Sequence, residues 1–303
     1  MTLFAGLSAF PLTPVDMQGR LKPDLLGRHL DRIRLAGADS IGLLGSTGGY
    51  AYLSHEERKR TVRAAAECLR GRMPLVVGVG ALRTDQAEDL ARDAAAAGAD
   101  GLLLAPMSYQ KLTEDEVYRH FKAVAKAGGL PLCIYNNPGT TNFTFSHNLI
   151  ARLSRLPEVE AVKMPLPADG DFKGEVAALR ALTPEDFSIG YSGDWGACGA
   201  LLAGADCWFS VIAGLLPGPA LALTRAARAG DAARAARIDR AFTAFWDLFR
   251  TFGSFRVMFA IANLLDREPL APLPPVMPLA GQAIDAVGEA LDHLHRETAA
   301  LRG

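Results

Sequence analysis

Short runs of apolar residues recur along the chain and alternate with longer segments whose apolar residues follow helical spacing. Each run is five to seven residues long, the length of a buried strand. We predict eight strands, at residues 6–10, 40–45, 74–80, 101–105, 131–135, 159–163, 187–191 and 206–212. Four predicted helices between them end at a glycine, which adopts the positive φ of a helix terminus at least cost: Gly37, Gly98, Gly128 and Gly204.

Strands that alternate with helices form a parallel sheet, and eight such units fit a closed (β/α)₈ barrel, an α/β fold also called a TIM barrel. An open, doubly wound sheet is the alternative. It is disfavoured because no strand leads into GxGxxG; "GVGALRTD" at 78–85 has only two of the glycines. Beyond residue 217 the pattern becomes helical, broken by "EPLAPLPPVMPL" at 268–279. We therefore expect a barrel over residues 1–217 and a C-terminal helical extension over 218–303.

Composition narrows the candidate partners and the compartment. The 303 residues carry 32 basic and 33 acidic side chains, so neither nucleic acid nor a membrane surface is an expected partner. The N-terminal "MTLFAGLSAFPLTP" lacks a basic region and is broken by two prolines, which indicates neither a signal peptide nor a membrane span. The cysteines lie far apart without a CxxC pair and are interpreted as free thiols: Cys68, Cys133, Cys198 and Cys207. We expect a cytoplasmic protein.

In a barrel of this kind, chemistry belongs at the carboxyl ends of the strands. The second predicted strand runs into "GLLGSTGGYAYLSHEER", where glycines flank Ser46 and Thr47. Two hydroxyls and adjacent backbone N–H groups suit a bound carboxylate. An ordinary tight turn between strand and helix is the alternative interpretation.

The fifth and sixth predicted strands end in two further candidates. Tyr135 is the last residue of its apolar run, before the turn "NNPG"; it could equally close the core with its hydroxyl in water. Alternation in "VEAVKMP" places Lys163 on the same face as Val159 and Ala161. A desolvated lysine amine can attack a carbonyl and form a Schiff base. A lysine that extends into solvent or pairs with a carboxylate is the alternative.

Taken together, these motifs resemble the pyruvate-dependent class I aldolase family that contains dihydrodipicolinate synthase and N-acetylneuraminate lyase. The resemblance covers nearly the whole chain. It is carried by "GLSAFPLTP", "GSTGGYAYLSHEER", "YNNPGTT", "AVKMP", "GYSGDW" and "GADCWFSVIAGLLP", which match the family's segments in order along the barrel. Ordered motifs at matching positions are a more specific signal than the fold.

The resemblance implies a role for each matching residue. Lys163 would form the imine with pyruvate or a related 2-keto acid, so no cofactor is needed, and Tyr135 would be the acid and base. Ser46 would relay protons to Tyr135, and Ser46 with Thr47 would hold the substrate carboxylate. Ser210, in the eighth strand end, is assigned to substrate binding. The implied function is a Schiff-base-forming carbon–carbon or carbon–oxygen lyase, or a synthase.

Four further positions bear on assembly and substrate. Family members form homodimers or homotetramers, and Tyr109 lies near the place of a tyrosine that a neighbouring subunit supplies; it could instead pack at a subunit contact. Thr140 occupies the place of an arginine that clamps the second carboxylate in the synthase, Gly49 replaces a glutamate, and Met164 replaces an acidic residue. We therefore expect a substrate other than that of the lysine-pathway synthase.

Alternatives remain open at this point. A non-catalytic relative could use the barrel mouth to bind a small carboxylate, and a 2-keto-3-deoxy sugar acid dehydratase would share the imine mechanism. A phosphate-binding barrel isomerase is weaker, because no glycine-rich phosphate loop follows the seventh or eighth strand.

Overall fold

The centre of the molecule is a closed sheet of eight parallel strands. The computed structural model describes residues 2–266 and 268–300. Each strand pairs with the next along the chain and β8 pairs with β1. The strands are β1 (Gly6–Ala9), β2 (Ser40–Leu43), β3 (Leu75–Gly78), β4 (Gly101–Leu104), β5 (Leu132–Tyr135), β6 (Val159–Met164), β7 (Ser188–Tyr191) and β8 (Cys207–Ser210). The predicted (β/α)₈ barrel is confirmed and the open sheet was wrong, because every strand pairs on both sides and the sheet has no edge.

Helices follow each strand and form the outer layer. Those that precede β8 are α1 (Pro23–Ala36), α2 (His55–Leu69), α3 (Thr84–Ala97), α4 (Glu114–Gly128), α5 (Pro138–Thr141), α6 (His147–Leu153), α7 (Phe172–Arg180) and α8 (Ala197–Leu202). Those that follow it are α9 (Pro217–Arg228), α10 (Ala232–Ala241), α11 (Thr243–Phe252), α12 (Ser254–Asp266) and α13 (Gln282–Ala300). Short 3₁₀ turns span Tyr50–Tyr52, Asp194–Gly196 and Ile212–Gly214.

One helix end differs from its prediction by a residue. α4 starts with a capping box between Thr113 and Glu116, but it continues through Gly128. Gly129 adopts the positive φ of +60° that ends the helix. Gly128 is needed for a different reason: a Cβ there would lie 2.5 Å from the Leu102 side chain of β4.

Alternation along the strands produces two separate apolar clusters. Inward-facing residues fill the barrel and include Phe10, Cys133, Ala161, Cys207 and Phe209. Outward-facing strand residues pack instead against the helices in the main core. Because the interior is filled, the space for a substrate lies at the mouth, above the carboxyl ends of the strands.

The helices after β8 pack on the barrel and on each other. α9 contacts β1 and α1, and α13 contacts α10, α11 and α12. The Nε2 of buried His29 in α1 lies 2.7 Å from the Oδ2 of Asp266 in α12. This contact links a helix after β8 to the first helix of the barrel. The division of the chain at residue 217 stays a prediction; residues 1, 267 and 301–303 of the two predicted parts lie outside the described residues. Over the described ranges, no helix is long and apolar enough to cross a membrane.

Candidate active site

Lys163 projects from β6 into the barrel and is only 3% exposed. Its Nζ lies 4.3 Å from the ring centroid of Phe10, 4.1 Å from that of Tyr135 and 5.8 Å from that of Phe209. No carboxylate within residues 2–266 and 268–300 forms an ion pair with this amine. Lys163 therefore neither extends into solvent nor pairs with a carboxylate, and its amine is enclosed by aromatic rings.

Glycines of β2 and its loop make room for the ring beneath this amine. A Cβ at Gly42 would lie 2.2 Å from the Phe10 ring, and one at Gly45 would lie 2.6 Å from it. Phe10 also packs edge-to-face on Phe209, with ring centroids 6.1 Å apart. Phe10 was not predicted as part of the site, because an aromatic residue in an apolar strand run gives no signal beyond core packing.

Tyr135 lies at the end of β5, next to β6, with its hydroxyl in a short hydrogen-bonded chain. Its Oη is 3.1 Å from the Ser46 Oγ and accepts a hydrogen bond of 3.0 Å from the Asn137 side-chain amide. The ring is 6% exposed, so this hydroxyl does not simply point into water. The structure thus brings together three residues that were selected from separate motifs: Lys163, Tyr135 and Ser46.

The loop after β2 presents free backbone donors at the same place. Leu44 is buried with φ at +56°, an unusual conformation for a residue with a side chain, and its carbonyl lies against Gly78. The chain thereby turns so that Ser46 and Thr47 follow directly. In the described part of the chain, their N–H groups donate to no protein acceptor. Such a pair of free amides suits a carboxylate.

A buried cation that was not predicted from the sequence stabilises this end of the barrel. Arg58 of α2 donates to the carbonyl oxygens of Gly78 and Gly80, each at 2.9 Å. Its guanidinium lies 5.2 Å from the centroid of the Tyr50 ring. Burial lowers the pKa of Arg58 to about 10 and raises the pKa of Tyr50, which nearby Tyr135 raises further. The available signal was helical spacing, which puts Arg58 on the buried face with Thr61 and Val62.

Asp194 connects the loop after β7 to the end of β8. Its carboxylate accepts hydrogen bonds from the Trp208 indole, from the Val211 and Ile212 backbone N–H groups, and from Ser210. Burial raises the pKa of Asp194, although these donors and the Lys163 charge oppose the rise. Ser210 is fully buried, and its Oγ also accepts from the Ala213 N–H at 3.1 Å. Both hydrogen bonds of Ser210 join it to other residues of the barrel end, and the role of Ser210 in substrate binding stays a prediction.

Tyr109 and Thr140 lie on the surface of the single chain. Tyr109, in the loop after β4, is 89% exposed, so the fold of one chain does not bring it to Lys163. Thr140 is exposed on α5, and its hydroxyl contacts the Asn137 carbonyl at 3.5 Å. Their roles also stay predictions. Among the residues that the structure describes, no three histidine, cysteine, aspartate or glutamate side chains meet in a way that could hold a metal ion.

A barrel with an enclosed lysine beside a tyrosine–serine pair at the strand ends is the arrangement of a class I, Schiff-base-forming lyase. The chain belongs to the dihydrodipicolinate synthetase family, whose sequence model matches residues 3–294. The predicted family and enzyme class are confirmed.

Individual relatives agree with this assignment. The 4-hydroxy-tetrahydrodipicolinate synthase of Methylococcus capsulatus is 37% identical over 220 residues, which is 72% of this chain and 74% of that protein. The crystal structure of a dihydrodipicolinate synthase from Agrobacterium tumefaciens superposes with a TM-score of 0.95 at 55% identity, covering 96% of this chain and 98% of that one. A sialic acid aldolase of Ruminococcus gnavus, a catalytic lysine mutant, shares the fold at 20% identity and a TM-score of 0.89, covering 98% and 97%.

Proposed function

We propose that the protein condenses or cleaves a 2-keto acid, pyruvate or a close relative, through an imine on Lys163. The observation that carries this proposal is the Lys163 amine, enclosed beside the hydrogen-bonded Tyr135–Ser46 pair. The neutral amine attacks the keto carbon, and the resulting carbinolamine takes up a proton and loses one water, which leaves a protonated imine. This cation draws electrons from the adjacent carbon–carbon or carbon–hydrogen bond, so that an enamine forms without an added cofactor.

The other residues supply proton transfer and substrate orientation. After its own proton has passed to Ser46, the deprotonated Tyr135 takes a proton as the enamine forms and returns one when the imine is restored. The free N–H groups of Ser46 and Thr47 hold the keto acid's carboxylate. The enamine carbon attacks an aldehyde in the synthetic direction, and the same bond breaks in the lyase direction. Hydrolysis of the imine then releases product and regenerates the Lys163 amine.

Assembly and location complete the proposal. Exposed Tyr109 is well placed to be covered by a second copy of the chain, in a homodimer or homotetramer, and would then reach the neighbour's barrel mouth. The cysteines are free thiols, and Cys133, Cys198 and Cys207 are buried, which fits the reducing cytoplasm.

Borohydride trapping tests the imine directly. With pyruvate, we expect a reduced adduct on the peptide that contains Lys163, no adduct in Lys163→Ala, and near-normal trapping but turnover at least a hundredfold lower in Tyr135→Phe. Far-ultraviolet circular dichroism of both variants controls for folding. If pyruvate and larger 2-keto acids leave no adduct, the protein is instead a relative that binds small carboxylates without catalysis.

We also propose that the second substrate differs from that of the lysine-pathway synthase. The curated relatives carry that enzyme's name, but Thr140 offers a hydroxyl where the synthase pattern has an arginine. A hydroxyl provides neither the charge nor the two parallel donors that hold a carboxylate. With pyruvate saturating, we expect aspartate semialdehyde to react at least tenfold less efficiently than an aldehyde without a carboxylate. Efficient turnover with aspartate semialdehyde would refute this interpretation of Thr140.

A further inference from the structure

Asn137 makes a contact that neither the family resemblance nor the relatives assign. It is the residue before α5, the position from which an asparagine side chain usually caps a helix. Its side chain makes no capping bond. The carboxamide turns the other way, and its Nδ2 donates to the Tyr135 Oη at 3.0 Å.

The backbone holds Asn137 firmly in this position. Its carbonyl accepts from the N–H groups of Thr140 and Thr141, so it closes the first turn of α5 without its side chain. The preceding residue, Asn136, donates its N–H to the carbonyl of Lys163 at 3.0 Å, which fixes the end of β5 to the strand that carries the lysine. The backbone from which the carboxamide reaches Tyr135 is therefore held on both sides of Asn137.

The chemistry of the groups fixes the direction of this hydrogen bond. An amide nitrogen only donates, so the Tyr135 oxygen is the acceptor, and its own proton is left free for Ser46, 3.1 Å away, or for the substrate. When Tyr135 gives up that proton, its oxygen becomes negative and keeps the Asn137 donor. A hydrogen bond to a charged acceptor is stronger than the same bond to a neutral one.

We propose that Asn137 is a positioning residue that stabilises the deprotonated form of Tyr135 and directs its proton toward Ser46 and the substrate. The inference rests on the proposed function, because it assumes that Tyr135 moves protons at the imine. It assigns Asn137 to proton transfer and not to imine formation. These two steps can be measured separately without knowing the aldehyde.

The experiment uses pyruvate alone. Borohydride trapping reports imine formation, and proton NMR in D₂O reports exchange of the pyruvate methyl hydrogens, which requires proton transfer after the imine has formed. In Asn137→Leu we expect exchange about tenfold slower or worse, with the trapped fraction within twofold of the wild type. Asn137→Asp has the same shape but cannot donate, and its charge opposes that of the tyrosine, so we expect a larger loss.

Asn142→Gly is the matched control. Asn142 ends the same short helix, is exposed and has φ at +55°, which glycine adopts readily, so exchange should be unchanged. If Asn137→Leu does not fold, Asn137→Asp carries the test. Exchange within twofold of wild type in both Asn137 variants, or a parallel loss of trapping, would overturn the inference. Absence of any wild-type adduct would instead refute the proposed function.

Discussion

Replacement of Asp194 should destabilise the end of β8 by an amount that follows from its hydrogen bonds. The carboxylate accepts from three N–H groups: the buried Trp208 indole at 3.0 Å, half-buried Val211 at 3.1 Å and buried Ile212 at 2.6 Å. In Asp194→Ala these donors lose their acceptor, while the Ser210 hydroxyl can rotate to another partner. A buried donor without an acceptor costs about 1–3 kcal/mol.

The expected net loss is smaller than the sum of these costs. Burial raises the pKa of Asp194, so the folded protein also loses an unfavourable buried charge in the variant. We expect Asp194→Ala to lower the free energy of unfolding by about 4 kcal/mol. In Asp194→Asn the remaining oxygen still accepts from the Trp208 indole and the Val211 N–H. The amide nitrogen takes the place of the other oxygen and cannot accept from the Ile212 N–H, so we expect a loss of about 2 kcal/mol.

Urea denaturation followed by circular dichroism measures both losses, and borohydride trapping with pyruvate shows whether the Lys163 environment survives. Asp247→Asn is the control for removal of a charge, because exposed Asp247, within residues 2–266 and 268–300, pairs with Arg250 alone, on the helix surface. It should change the free energy of unfolding by less than about 0.5 kcal/mol. A loss below 1 kcal/mol in Asp194→Ala, or an equal loss in the two Asp194 variants, would refute the reasoning.

Two further predictions concern stability. Burial lowers the pKa of His120 from 6.5 to about 4, so the unfolded chain binds a proton on this residue more tightly than the folded protein does. The free energy of unfolding is therefore unaffected by this proton above pH 6.5 and falls by about 3 kcal/mol as the pH is lowered to 4. Urea denaturation at pH 7.5 and 4 should show a smaller loss in His120→Gln; equal losses would contradict this. Gly42→Ala would place a Cβ 2.2 Å from the Phe10 ring and should cost about 2 kcal/mol. In the double variant Gly42→Ala with Phe10→Leu, part of that cost should disappear. If the two single losses in free energy of unfolding simply add, the clash is excluded.

Much of the fold was predictable because periodicity is a local property of the chain. Strand runs alternating with helical segments required a parallel sheet, and their number favoured closure. The period of two along "VEAVKMP" placed Lys163 on the same face as Ala161, and the interior cluster that includes Ala161 agrees with that. Val159, predicted on the same face, packs in the main core instead, because the pairing of β5 with β6 shifts register before Ala161. One helix end was misplaced, because the sequence does not show that Gly128 is needed for close packing on Leu102.

The surroundings of the lysine were not predictable in the same way. Phe10 meets Gly42 and Gly45 only after β1 and β2 pair in their particular register. Arg58 appeared to be one more charge on a helix, and only the packing of α2 showed that it bonds to the carbonyls at the end of β3. These contacts join residues far apart in sequence, so neither composition nor spacing specifies them.

The sequence by itself thus determined the barrel, the family and the candidate residues Lys163, Tyr135 and Ser46, because alternation and ordered motifs are written along the chain. The tertiary structure alone decided which groups touch the Tyr135 hydroxyl, and it showed that Asn137 turns toward this hydroxyl and away from its helix. The physical reason is that side-chain direction depends on how neighbouring strands close around the barrel. Asn137 could have capped α5 equally well on local preference, but the end of β5, paired with β6, presents the Tyr135 hydroxyl to its amide at 3.0 Å.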